Sequence, residues 1–276
     1  MSDRYSVDDL IYLMERLRDP DTGCPWDLEQ TFASIVPHTL EEAYEVADTI
    51  EREDWPHLKD ELGDLLFQVI FYSQLGKEQS LFDLHAVVDH LCSKLIRRHP
   101  HVFPTGQLRD SAESVKIDQQ AVNAQWERIK EQERESKDRA RVLDEVPTSL
   151  PAMSRAVKLT KRASKVGFDW GDATGVLDKI EEEIQELREA MQQGDLESVR
   201  EELGDLLFVN ANLARKLSVD PEQAVRNTNL KFERRFNHVE DRVLASGKDW
   251  SEFSLDELDA WWDEAKQIEK SKKQVL

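Results

Sequence analysis

Ile180, Ile184, Leu187 and Met191 fall at steps of four, three and four along an otherwise charged stretch. That spacing predicts one apolar stripe of an amphipathic helix, which Gly194 ends and after which Asp195 serves as the N-cap of a second helix. The second helix carries Leu203, Leu206, Leu207, Leu213, Ala214 and Leu217. An earlier stretch has the same arrangement: Leu40, Ala43, Ala47 and Ile50, a break at Trp55-Pro56, then Leu62, Leu65, Leu66, Val69 and Ile70. Helices of this length joined by short connections are antiparallel neighbours, so each stretch is expected to form a helical hairpin.

The two hairpins are copies. Residues 60–67 read Asp-Glu-Leu-Gly-Asp-Leu-Leu-Phe and residues 201–208 read Glu-Glu-Leu-Gly-Asp-Leu-Leu-Phe, an offset of 141. At the same offset Glu41-Glu42-x-x-Glu45 falls on Glu182-Glu183-x-x-Glu186. Downstream the offset drifts, but Lys94-Leu-Ile-Arg97-Arg98-His99-Pro100-His101 still matches Lys231-Phe-Glu-Arg234-Arg235-Phe236-Asn237-His238, and Trp126 echoes Trp262. Four landmarks in one order indicate a tandem duplication of a helical domain. The charged run 131–141 followed by Pro147 and Pro151 marks the boundary. Prolines stop a helix and hold the chain extended, which places domains at 1–137 and 152–276 with a linker at 138–151.

Composition narrows the function. Of 276 residues, 39% are hydrophobic and 34% charged, with Gly 10 and Pro 9, as expected of an all-α protein with solvated helical faces. Lys+Arg total 37 and Asp+Glu 57, a formal net charge of −20. That balance argues against duplex nucleic acid or an anionic membrane as partner, since both need a concentrated positive face. It leaves phosphorylated small molecules open, because carboxylates hold divalent cations and these hold phosphates. Cys24 and Cys92 are too few for a disulfide scaffold and fit a reducing, cytoplasmic setting. Residues 1–10 do not read as a secretory signal, and the longest uncharged stretch, 65–76, is well short of the ~20 residues that span a bilayer.

The acids carry the chemistry. Residues three apart on a helix share a face, so Glu42 projects with Glu45 and Glu61 with Asp64; Glu183 with Glu186 and Glu202 with Asp205 repeat the arrangement. Four carboxylates are expected to converge between the helices of each hairpin. Such a cluster repels itself unless cations fill it, and oxygen ligands alone select a hard ion such as Mg²⁺ or Mn²⁺. Taken singly, a Glu-Glu-x-x-Glu run in so charged a chain is a solvated face; its pairing with Glu-x-x-Asp at a fixed interval, twice, is what indicates metal.

A basic component follows. Lys231, Arg234 and Arg235 share a face and suit phosphate oxygens, although such a trio in isolation is more often surface ion pairing. Lys179, four residues before Glu183, reaches either the acids or a phosphate; His38 is its counterpart and acts similarly or caps a helix. Trp126 and Trp262 either stack on a base or belong to the core. There is no Gly-x-x-x-x-Gly-Lys-Ser/Thr and no Gly-x-Gly-x-x-Gly to cradle phosphates, and no Glu stands three residues before any histidine as in a di-iron bundle. Cys24 has no companion motif for a nucleophile and reads as a small, partly buried residue.

Glu-Glu-x-x-Glu, then Glu-x-x-Asp inside Glu-Leu-Gly-Asp-Leu-Leu-Phe, then Lys-Phe-x-Arg-Arg-Phe, together with Gly23-Cys-Pro-Trp-Asp27, resembles the MazG family of the all-α NTP pyrophosphatase superfamily over nearly the whole chain. The resemblance implies hydrolysis of NTPs and dNTPs to monophosphate and pyrophosphate, Mg²⁺ dependence with Mn²⁺ as a substitute, and a helical homodimer in which four-helix units pack. It implies metal ligands at Glu183, Glu186, Glu202 and Asp205, with Lys179, Lys231 and Arg235 at the phosphates and Trp262 at the nucleoside. In the first copy it implies Glu42, Glu45, Glu61 and Asp64 with Lys94, Arg97 and Arg98. Glu42, Glu45, Glu183 and Glu186 are the candidates for metal or base duty. His99-Pro100 replaces Phe236-Asn237 in the first copy, and Pro100 is expected to end its helix there.

Attack of water on the α-phosphorus with departure of pyrophosphate builds negative charge on oxygen, which divalent ions stabilise, while a carboxylate accepts the proton. Two other readings use the same residues: a regulatory module that binds Mg²⁺-nucleotide without turnover, and a helical interaction scaffold whose acids only confer solubility.

Overall fold

The computed structural model describes residues 4–109, 118–135, 141–144 and 146–273. The chain divides into two compact units, Met1–Lys137 and Asp138–Leu276. No strand occurs among the described residues. Residues 136–140 and 145 of the expected boundary region lie outside them.

The first unit comprises α1 (Val7–Leu17), α2 (Pro25–Glu29), α3 (Phe32–Glu51), α4 (Trp55–Glu78), α5 (Leu84–Arg98) and α6 (Gln119–Glu135). Its α3 and α4 form the expected hairpin, with α1 packed on α4. The break lies just ahead of Trp55: Asp54 caps the His57 amide and Pro56 sits in the first turn of α4, where its missing N–H costs nothing. Met14, Ile35, Ile70, Phe71, Leu75 and Leu84 make the core, fringed by Leu10, Ile11, Phe32, Phe67 and Tyr72. Arg18 fastens three elements at once. Its guanidinium grips Glu78 of α4 through two bonds of 2.8 and 2.7 Å, donates to the Asp27 and Gln30 carbonyls around α2, and lies 5.4 Å from the Phe71 ring centroid. The helix α5 stops at Arg98, immediately before His99-Pro100, as the proline requires.

The second unit comprises α7 (Ala152–Lys165), α8 (Ala173–Gln193), α9 (Leu196–Lys216), α10 (Pro221–Ser246), a 3₁₀ turn at Trp250–Glu252 and α11 (Leu255–Lys273). Its hairpin is α8 and α9, with α7 against α9 and α11 against α10. Gly194 closes α8 at φ 72°, a left-handed conformation that glycine adopts without penalty, and Asp195 then caps α9. Without a proline at the matching place, α10 runs on through Phe236-Asn237-His238 to Ser246.

Both hairpins leave by the same kind of turn. After α4, Ser80 takes φ 56° and the Leu81 amide donates to the Gly76 carbonyl; after α9, Ser218 takes φ 58° and the Val219 amide donates to the Ala214 carbonyl. Aspartates 83 and 220 then cap the next helices.

The apolar stripes are only half used within each unit. Leu40, Ile50, Leu62, Leu66 and Val69 of the first hairpin and Met191, Leu203, Leu207 and Leu217 of the second are exposed, whereas Ile35, Ile70, Val176 and Val209 are buried. The hairpin helices are thus apolar on two faces, and the unit covers one.

Candidate active site

In the first unit α3 supplies Glu42 and Glu45 and α4 supplies Glu61; one carboxylate oxygen of each lies within 4.8 Å of the others. In the second, α8 supplies Glu183 and Glu186 and α9 supplies Glu202, with the same 4.8 Å closeness. Helical spacing explains the arrangement: residues three apart on one helix face a single acid across the hairpin.

Three of the four expected acids in each copy meet this closeness. Asp64 and Asp205 stand outside the triads and are exposed. They remain near enough to be felt. Burial, then Asp64 and Glu45, push the Glu42 carboxyl above the ordinary range, and partial burial followed by Glu45 and Asp64 does the same to Glu61. Glu202 is raised by partial burial and then by Glu186, Glu183 and Asp205.

The two clusters differ in their neighbours. Glu183 is 3% exposed and its Oε2 has no hydrogen-bond partner, while Lys179 Nζ lies 2.8 Å from its Oε1 and 2.9 Å from Glu182. Bonds to Glu183 and then Glu182 hold the Lys179 ammonium above its ordinary range. At the matching place His38 sits 3.8 Å from Glu41 and meets Trp26 edge-on at 5.8 Å.

The basic residues collect on other elements. Lys231, Arg234 and Arg235 lie on α10, where Arg235 bonds Glu269 of α11 at 2.9 and 2.8 Å and Arg234 approaches the same carboxylate at 3.5 Å. The Arg235 guanidinium is 5.7 Å from the Trp262 ring, which is half-buried and 5.2 Å from Phe232. Phe236 stacks on Phe232 at 5.9 Å and on Trp250 at 5.6 Å, an aromatic row whose two phenylalanines stand at helical spacing in Lys-Phe-x-Arg-Arg-Phe. In the first unit Lys94, Arg97 and Arg98 occupy the last turns of α5, and Trp126 of α6 meets His99 edge-on at 5.0 Å. Cys24 and Cys92 are free and half-buried. Glu269 had no sequence signal, since it belongs to no repeated motif, whereas Trp26 stands in the Gly23–Asp27 segment.

The donor set suits a hard divalent cation: three carboxylates converge in each cluster, and a buried Glu183 oxygen has no hydrogen-bond partner. A solvated acidic face would not leave a carboxylate oxygen dry and unpaired.

A family model described as the MazG nucleotide pyrophosphohydrolase domain matches residues 30–103 and again 173–240. The chain is 47% identical over 265 residues to the nucleoside triphosphate pyrophosphohydrolase of Escherichia coli K12, covering 95% of this chain and 98% of that protein. It is 42% identical over 259 residues to a nucleoside triphosphate pyrophosphohydrolase/pyrophosphatase MazG of Thermotoga maritima, covering 94% and 95%. An uncharacterized Bacillus subtilis protein, YabN, is 39% identical over 94% of this chain and 51% of its own length.

Proposed function

The chain belongs to the MazG nucleotide pyrophosphohydrolase family, and on that premise we propose that it hydrolyses nucleoside and deoxynucleoside triphosphates to monophosphate and pyrophosphate with Mg²⁺, or Mn²⁺ in its place. The observation that carries the reading is the pair of carboxylate triads, one of them with a buried, unpartnered oxygen.

Glu183, Glu186 and Glu202, with Asp205 beside them, hold the cation of the second copy; Glu42, Glu45 and Glu61, with Asp64, hold that of the first. A bound divalent ion supplies positive charge to the phosphate oxygens on which negative charge builds during cleavage. Lys179, Lys231, Arg234 and Arg235 neutralise the remaining phosphate charge, and Arg235 must exchange Glu269 for it. Lys94, Arg97 and Arg98 have this part in the first copy. Trp262 stacks on the base, a contact that reads no hydrogen-bonding edge and so tolerates many bases. One of Glu42 and Glu45, or of Glu183 and Glu186, accepts the proton of the attacking water.

The domains of this reading are 1–137 and 152–276 with a linker at 138–151, and the setting is the cytoplasm. Among the described residues no helix is long and apolar enough to cross a membrane. The working form is a homodimer: exposed Leu62, Leu66, Leu203 and Leu207 present apolar stripes that a second copy covers. Sedimentation velocity of the wild-type chain tests this part, and a monomer at micromolar concentration removes it.

The reaction is tested by identifying products from NTPs and dNTPs with Mg²⁺, alongside Glu42→Ala and Glu183→Ala. Monophosphate and pyrophosphate are expected, with turnover lost in the variant of the active copy. Diphosphate with orthophosphate, or no turnover, sinks the hydrolytic reading and favours nucleotide binding or scaffolding.

A further inference from the structure

The sharpest difference between the two copies lies four residues before the first acid of each triad. In the second copy this is Lys179, one helical turn from Glu183, with its ammonium 2.8 Å from Oε1. Glu183 is almost wholly buried, so water does not compensate its charge; Lys179 does. A divalent cation entering this triad meets a positive charge already bonded to one of its ligands. In the first copy the position is His38, directed at Glu41 from 3.8 Å and packed on Trp26, and Glu42 is half-buried without a lysine at that position. From α4, packed against α3, the basic group acting on the cluster is His57, which faces Glu61 while bonded to Asp54 at 2.6 Å.

We infer that Lys179 is a positioning residue that makes metal loading of the second copy depend on nucleotide, whereas the first copy, with His38 in its place, takes up a divalent cation without one. The inference rests on the metal-binding reading of both clusters. A polyphosphate offers Lys179 an alternative set of anionic oxygens; once the ammonium turns to them, Glu183 is free for the cation. Coupling of this kind is reciprocal, so metal and nucleotide each tighten the other, and the ordinary range for such coupling is roughly 5- to 150-fold. The second copy therefore stays without metal until a triphosphate arrives, and the first is charged beforehand.

The probe is Mn²⁺, followed by the EPR signal of the free ion during titration of the full chain. Without nucleotide, one tight site per chain is expected, lost in Glu61→Gln and kept in Glu183→Gln. A triphosphate with a non-hydrolysable α,β-imido bridge should add a second site above the nucleotide's own Mn²⁺ uptake, lost in Glu183→Gln. Lys179→Met should bring that site out without nucleotide, about tenfold tighter than in the wild type, and Lys179→Arg, which keeps the charge, should not. The converse change, His38→Lys, should weaken the first site. Circular dichroism of each variant checks that total helix content is unchanged. Two equal sites in the nucleotide-free wild type, or no effect of Lys179→Met on nucleotide-free binding, overturns the inference and leaves the metal-binding reading standing. No Mn²⁺ uptake by the chain, with or without nucleotide, overturns both.

Discussion

Replacing Arg18 with methionine isolates the contact that holds α2 in place. The side chain is 7% exposed at the end of α1 and satisfies a carboxylate and two main-chain carbonyls that have water on few sides. Methionine keeps most of the stem but leaves the Glu78 carboxylate without its cation and the Asp27 and Gln30 carbonyls without this donor. Breaking a buried pair from one side costs about 3–5 kcal/mol. Glu78 is one-third exposed and keeps a 2.9 Å bond from Gln74, which places the expected loss near the low end, at about 3 kcal/mol. For a unit of this length, a loss of that size lowers the melting temperature by roughly 10 °C.

Scanning calorimetry of the full chain should show the transition of the first unit moving by that amount while the second unit's stays. Arg18→Lys should give an intermediate value, because an ammonium lacks the fork that reaches Glu78 and the carbonyls together. The pH dependence has a definite sign. The Arg18 bond holds the Glu78 carboxyl below its ordinary value, so the pair stabilises above that value and the benefit is lost as pH falls through the lowered one. The gap between wild type and Arg18→Met should therefore narrow below about pH 4. A shift of less than about 2 °C, or a shift shared equally by both transitions, would refute the reasoning.

Glu42→Gln tests the repulsion within the first triad. Burial, Asp64 and Glu45 raise the Glu42 carboxyl, so its contribution to stability is present at low pH and lost as pH rises through the raised value. Without divalent ions the variant should melt above the wild type at pH 8, the gap closing as pH falls toward the ordinary carboxylate range; saturating Mg²⁺ should reverse the order, because only the intact triad gains from the ligand. A metal-free variant no more stable at pH 8 would contradict this. Gly76→Ala would place a methyl 2.7 Å from the Phe82 ring and 2.8 Å from its carbonyl oxygen. Overpacking of about 1–3 kcal/mol then exceeds the ~1 kcal/mol that alanine returns in a helix. The first transition should fall by a few degrees, and a rise would show that the turn yields freely.

What the sequence made legible depended on local rules. The hairpins followed from apolar periodicity, the end of α8 from Gly194 and Asp195, and the end of α5 from Pro100. The closeness of Glu42, Glu45 and Glu61 followed from spacing of three on one helix and a repeated interval to the next. What escaped depended on distance along the chain or on direction. Glu269 meets Arg235 from 34 residues away, with no periodic trace. Asp64 shares a helical face with Glu61 and acts on Glu42, yet spacing alone did not say which of the four acids would lie closest together. Lys179 was open to either acids or phosphate; here its nearest groups are Glu183 and Glu182. Periodicity also identified Leu62 and Leu203 as apolar without saying which surface, if any, they meet inside the unit.

The left-handed serines that end α4 and α9 serve as a ruler between the copies. Ser80 follows Glu61 by nineteen residues and Ser218 follows Glu202 by sixteen. The extra three lengthen α4 by about 4.5 Å and turn its exit by about 300° relative to the acid, 60° short of a full rotation. The offset of the repeat changes here, inside a helix that shows no interruption. The segment that carries Lys94 thus departs from its triad at a different height and azimuth from the segment that carries Lys231. The copies agree at the carboxylates and diverge in phase beyond them, so each copy presents its basic helix to its acids from a different position along the hairpin.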